Sequence, residues 1–152
     1  MRSYYKKAMV VSDTLKWDFS DKSFVKLKGK IFIGDESGLC LNVSKFLRIS
    51  KDKRGREMAQ TDSYSYNLHY DGKKKSEIFR YDNFDIKPRR GHKSTHHCHR
   101  LMSGKEQRGS PYELLHEDVP TLGQAIEEAY EYYLEAVKSG MSCNESASHI
   151  YN

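Results

Sequence analysis

Ser63-Tyr64-Ser65-Tyr66-Asn67-Leu68-His69-Tyr70 places Tyr64, Tyr66, Leu68 and Tyr70 on one parity and Ser63, Ser65, Asn67 and His69 on the other. A side-chain period of two is that of a β-strand, and one apolar stripe beside one polar stripe predicts a strand with one buried and one wet face. Asp71-Gly72 then turns the chain, and Glu77 to Asp82 returns it as a second strand. On that strand Ile78, Arg80 and Asp82 are expected on one face and Phe79 and Tyr81 on the other. The tyrosines are expected in the core, because strictly alternating aromatics suit a sheet–helix interface better than a platform for unpaired bases.

Toward the N-terminus the same period recurs. From Phe24 to Ile33, Val25, Leu27, Ile31 and Ile33 oppose Lys26, Lys28 and Lys30, and after Gly34-Asp-Glu-Ser-Gly38 the residues Leu39, Leu41, Val43, Leu47 and Ile49 share parity. These two segments predict a hairpin whose outer face is basic or polar. Shorter strands are expected at Ala8 to Val11 and Leu15 to Phe19, and Lys51 to Arg56 reads as a charged loop. Toward the C-terminus the period lengthens. Thr121 and Gln124 have capping-box spacing, Leu122, Ile126, Ala129, Tyr133 and Val137 recur on one helical face, and Gly140 supplies a stop. Glu127, Glu128, Glu131 and Glu135 are expected to cover the remaining sides.

These elements predict an α+β domain, an antiparallel sheet of about five or six strands with the C-terminal amphipathic helix packed on one face. Residues 1–140 would form a single domain and 141–152 a flexible tail. At 152 residues the chain is long enough for one ordinary core. Cys40, Cys98 and Cys143 are an odd number without a close pair, which fits a reducing cytoplasm better than a disulfide framework. The opening Met1-Arg-Ser-Tyr-Tyr-Lys-Lys7 has no apolar h-region, and no apolar run is long enough to suggest a membrane span, so a soluble protein is expected. There are no internal repeats, and the absence of a GxxxxGK loop argues against a nucleotide-hydrolysing enzyme.

Charge points to a polyanion. Residues 1–108 carry 25 Lys and Arg against 13 Asp and Glu, a net of +12, whereas 109–152 carry one Lys against 8 acids, a net of −7. Within the basic part, the stretch from Ile86 to Lys105 holds Lys87, Arg89, Arg90, Lys93, Arg100 and Lys105, no acid, and His92, His96, His97 and His99. Fixed cations beside imidazoles suit binding a phosphate backbone and moving protons next to it. A solvated basic loop is the plainer reading of the same run.

Phe79-Arg-Tyr-Asp-Asn83 closing a hairpin that begins Ser-Tyr-Ser-Tyr, then His96-His-Cys-His99, Pro111-Tyr112 and a capped acidic helix follow one another in an order that resembles the TumE-type toxin family of bacterial and archaeal toxin–antitoxin pairs. The resemblance runs from about residue 60 to 137, with Cys98 where a basic residue would be expected between the histidines. It places Tyr81, Asp82, Asn83, His97 and His99 at motif positions. It also implies a toxin whose partner is a cognate antitoxin, a small DNA-binding protein of helix-turn-helix type.

Metal-independent RNA cleavage needs a base for the 2′-hydroxyl proton, an acid for the leaving 5′-oxygen, and cations for the charge that builds on phosphorus. If residues 96–99 are extended, His97 and His99 share a face and can divide the two proton roles, while His96 faces away. Arg80 and Asp82 also share a face, so Asp82 could fix a histidine tautomer, and Arg80 or Arg100 could grip the phosphate. Lys87, Arg89, Arg90 and Lys93 would bind the RNA backbone. This reading calls for no cofactor. Two alternatives use the same residues: a metal site drawn from His92, His96, His97, His99 and Cys98, and a noncatalytic module that binds nucleic acid or an acidic antitoxin.

Overall fold

A computed structural model of the chain describes residues 9–11, 14–34, 38–71, 77–83, 96–102, 105–106, 112–114 and 116–139. The elements are β1 (Met9–Val11), β2 (Lys16–Asp18), β3 (Phe24–Ile33), β4 (Leu39–Lys51), β5 (Glu57–Tyr70), β6 (Glu77–Asp82), β7 (His97–Met102), β8 (Lys105–Glu106), β9 (Tyr112–Glu113), a 3-10 turn at His116–Asp118 and α1 (Leu122–Lys138). The five longer strands, β3 to β7, pair antiparallel in chain order. Short ribbons extend the edges: β1 and β2 both pair β3, and β8 and β9 both pair β7. The expected α+β class and antiparallel sheet are what the chain adopts, and β3 to β7 run as a meander.

Alternation sorts the two faces as expected. Leu27, Ile31, Ile33, Leu39, Leu41, Val43, Tyr64, Tyr66, Leu68, Phe79 and Tyr81 form one buried cluster with Ala125 and Ala129 of α1. The tyrosine stripe is core: Tyr64 and Tyr66 are 2% and 1% exposed. Burial of so much apolar surface against one helix supplies the main driving force for the fold.

Two irregularities set the register. Between Phe46 and Leu47 the β4–β5 pairing shifts, from Phe46 opposite Ser63 to Leu47 opposite Thr61, so Asp62 is an extra residue on β5. Between Leu68 and His69 the β5–β6 pairing shifts, from Leu68 opposite Phe79 to His69 opposite Glu77, and Ile78 is the extra residue on β6. The second bulge corrects the expectation for Ile78, which joins the core beside Phe79 instead of sharing a face with Arg80 and Asp82. Glu77 takes that polar place, and its carboxylate accepts from Arg80 Nη1 at 3.3 Å.

The helix begins where its cap predicts. Gln124 N donates to Thr121 Oγ1 at 3.2 Å and Thr121 N to Gln124 Oε1 at 2.8 Å, which completes a capping box. Its buried seam is rotated from the expected stripe, with Ala125, Ala129 and Ala136 buried and Val137 53% exposed. Alanines at the centre let the helix backbone approach an aromatic sheet, and the larger Leu122, Ile126, Tyr130 and Tyr133 pack along the flanks. Gly34, at φ +73°, receives Tyr133: a Cβ there would stand 2.3 Å from its ring. Gly140 and the expected tail at 141–152 lie outside the described residues.

Candidate active site

The stretch that follows the YDN segment returns to the hairpin as β7. In register, Asp82 faces His97, Tyr81 faces Cys98, Arg80 faces His99 and Phe79 faces Arg100. Directly opposed residues share a face, so Arg80, Asp82, His97 and His99 stand together on the polar face, away from α1. Tyr81, Cys98 and Arg100 stand on the helix side.

Arg80 organises the polar cluster. Its Nη2 lies 3.2 Å from His99 Nε2, and its Nε lies 2.7 Å from Asp82 Oδ2 in a charge contact whose N–H is not aimed at the oxygen. A guanidinium only donates, so His99 Nε2 accepts and the ring proton sits on Nδ1. Burial, and then the Arg80 charge, hold the His99 imidazole below its ordinary value, against the pull of Asp82 and Glu77. Both the shift and the Arg80 contact favour the neutral His99 ring. His97 is 8% exposed and Asp82 is 9% exposed.

The neighbouring β5 positions leave buried polar atoms without hydrogen bonds. Asn67 donates through Nδ2 to Glu77 Oε2 at 2.9 Å, and His69 Nδ1 donates to Tyr70 O at 3.1 Å. Asn67 Oδ1, His69 Nε2 and Arg80 Nε remain unsatisfied. Buried polar atoms are ordinarily paired, so these three on adjoining strands of one face depart from the usual pattern.

The other expected site residues are placed as follows. Tyr81 OH donates to Glu128 Oε2 at 2.7 Å and accepts from Arg100 Nη2 at 2.5 Å, and Arg100 Nη1 also donates to Glu128. This knot ties β6 and β7 to α1. Burial, then the Glu128 hydrogen bond, push the Tyr81 phenol above its ordinary range. Asn83 bridges to β5, accepting from Tyr64 N at 2.8 Å and donating to Asp62 O at 3.1 Å. His96 turns to the helix side, as expected, with Nδ1 3.1 Å from Tyr64 OH. Lys87, Arg89, Arg90, His92 and Lys93 lie outside the described residues. Among the described residues no group of three or more His, Cys, Asp or Glu side chains is placed to hold a metal ion. No helix among them is long and apolar enough to cross a membrane.

Sequence reasoning missed Glu128, which looked like one of four interchangeable helix acids. It also missed that Arg100 leaves the histidine face, although the alternation that pairs His97 with His99 pairs Arg100 with Cys98.

A small α+β domain with an amphipathic helix on one sheet face and a cation–imidazole cluster on the other is the kind of scaffold the motif order implied. A family model described as toxin TumE matches residues 3–136, and the chain belongs to the TumE toxin family. It is thus the toxin component of a toxin–antitoxin pair and has a cognate antitoxin as its partner. No curated protein and no solved structure matches the chain.

Proposed function

We propose that this toxin is a metal-independent endoribonuclease that arrests growth in the cytoplasm by cutting RNA. The observation that carries the reading is the β6–β7 register, which brings Arg80, Asp82, His97 and His99 onto one polar face. An incoming phosphate draws the Arg80 guanidinium toward its oxygens, which frees the His99 Nε2 lone pair to take the 2′-hydroxyl proton. The 2′-oxygen then bonds to phosphorus and the bond from phosphorus to the 5′-oxygen breaks. His97, oriented by Asp82, gives its proton to that oxygen. The products are a 2′,3′-cyclic phosphate and a 5′-hydroxyl. Lys87, Arg89, Arg90 and Lys93 supply phosphate contacts in this reading, and the antitoxin is a small helix-turn-helix protein that covers the basic surface.

The test is cleavage of unmodified RNA by purified protein in a strong chelator. His97→Ala or His99→Ala should each lower the rate at least about a hundredfold while RNA affinity stays within a few fold, since cations dominate affinity. Cleavage lost on chelation would favour a metal site. Equal cleavage by the double variant would remove both histidines from the chemistry, and no cleavage by wild type would leave a noncatalytic binding toxin.

A further inference from the structure

Two rows of side chains cross the polar face from β3 to β7. One reads Lys28, Ser44, Ser65, Asp82, His97 and the next Lys30, Asn42, Asn67, Arg80, His99, each residue opposite the next in register. Four interstrand steps of ~4.8 Å make each row about 19 Å long. On β4 and β5 the rows are floored by the short side chains Ser44, Ser65, Asn42 and Asn67, so a strand of nucleic acid meets no bulky group there until it reaches Asp82 and Arg80 on β6. Beside the rows, Lys26 faces Phe46 and Phe46 faces Ser63. The Nζ atoms of Lys26 and Lys28 stand 5.8 and 5.1 Å from the Phe46 ring centroid. Phe46 is a half-buried aromatic on the face opposite the core, and Lys28 is exposed with no carboxylate partner among the described residues.

A core needs no phenylalanine on its wet face, and a purely structural aromatic does not need two ammonium groups over it. An aromatic ring with flanking cations is what single-stranded nucleic acid uses: the ring stacks on an unpaired base, and the cations take the adjoining phosphates. We infer that single-stranded RNA lies across the strands of this face, with one unpaired base on Phe46, phosphates on Lys26 and Lys28, and the following backbone directed over Ser44 and Ser65 toward Arg80 and His99. Phe46 on β4 is three strands, about 14 Å, from β7. The stacked base therefore lies a few nucleotides from the cleaved bond and sets which bond reaches the histidines. This assignment rests on the RNA-cleaving reading and names its substrate as unpaired RNA.

The experiment uses the full chain and a fluorescein-labelled 12-nucleotide RNA with 2′-O-methyl groups throughout, which lacks the attacking hydroxyl, so that binding is measured apart from cleavage. Phe46→Leu keeps apolar volume without a π face and should weaken single-strand binding about tenfold. Phe46→Tyr should restore it to within about twofold of wild type. Lys28→Ala should reduce the log–log salt slope by about 0.7. The duplex of the same sequence should bind more weakly and ignore the Phe46 change. Thermal melts of both Phe46 variants show whether any loss follows from unfolding. If Phe46→Leu melts like wild type and binds the single strand equally well, or if duplex and single strand respond alike, the assignment is overturned. Displacement of antitoxin rather than RNA by the Phe46 and Lys28 changes also overturns it. A wild type that binds this RNA through Phe46 but leaves unmodified RNA intact would sink the cleavage reading and keep the binding track.

Discussion

At Arg80 the guanidinium faces Glu77, Asp82 and His99 together, so replacing it alters the electrostatics of the whole cluster as well as any grip on phosphate. Arg80 lowers the His99 imidazole, whereas Asp82 and Glu77 raise it, and burial lowers it most. Arg80→Ala should therefore raise the His99 value, and Asp82→Asn should lower it further, as read from an NMR titration of the ring protons. Opposite movements, or none, would mean that His99 does not feel these charges. The same shift has a stability sign. A neutral imidazole favoured by the fold means that the unfolded chain binds the extra proton first. The His99 contribution is thus complete above the unfolded value near 6.5 and is lost as pH falls through it toward the lowered folded value. His99→Gln should flatten the acid side of a urea-midpoint profile taken against pH. On the helix side the Tyr81–Arg100–Glu128 knot ties β6 and β7 to α1: Glu128→Gln should cost about 1–2 kcal/mol in urea unfolding and leave the proposed RNA cleavage unchanged.

Among the elements, β3 carries a constraint that its alternation does not announce. β1 and β2 pair with it on either side of Gly29, and the chain between them crosses so closely that a Cβ at Gly29 would lie 2.2 Å from Thr14 O. Thr14 Oγ1 accepts from Lys30 N at 2.9 Å and fixes the crossing. Gly29→Ala should cost about 3 kcal/mol, because backbone has to move. Gly55→Ala, at φ +76° with open space around it, should cost only about 1 kcal/mol of backbone strain. Urea unfolding of both variants checks the contrast. The strands were legible where one face was apolar, so β3 and β6 were read to their ends and Tyr64 to Tyr70 to its face. Residues 57–62 were not, because both of their faces are exposed and only the ladder to β4 holds them in the strand. The bulge that places Ile78 in the core depends on pairing between strands, which no single-strand period contains. The helix seam was read from its large residues, whereas close packing centred it on the small ones. His97, His99, Arg80 and Asp82 were legible as a set because each pair sits at a spacing of two. Their meeting across β6 and β7 required the fold-back, and Glu128 had no period to distinguish it from the other helix acids.

For the whole molecule the faces divide the charges. The acids of α1 lie on or beside the helix layer, while Lys26, Lys28, Arg80, His97 and His99 occupy the opposite face of the sheet. In the proposed reading a polyanion would be drawn to the side that carries Lys26 and Lys28, and the helix acids would repel it from the other. In that reading toxicity and RNA binding are properties of one surface, and the antitoxin would act by covering it. Induced alone in a bacterial host, the chain should arrest growth, and co-expression of its cognate antitoxin should restore it. If His99 is the proton carrier of the proposed cleavage, the His99→Ala chain should permit growth at equal abundance and still bind the antitoxin, because one imidazole is a small part of a charged interface. Arrest by His99→Ala as strong as by wild type would mean that toxicity comes from binding alone. Unhindered growth with abundant folded wild type would mean that this member of the family has lost its toxic activity.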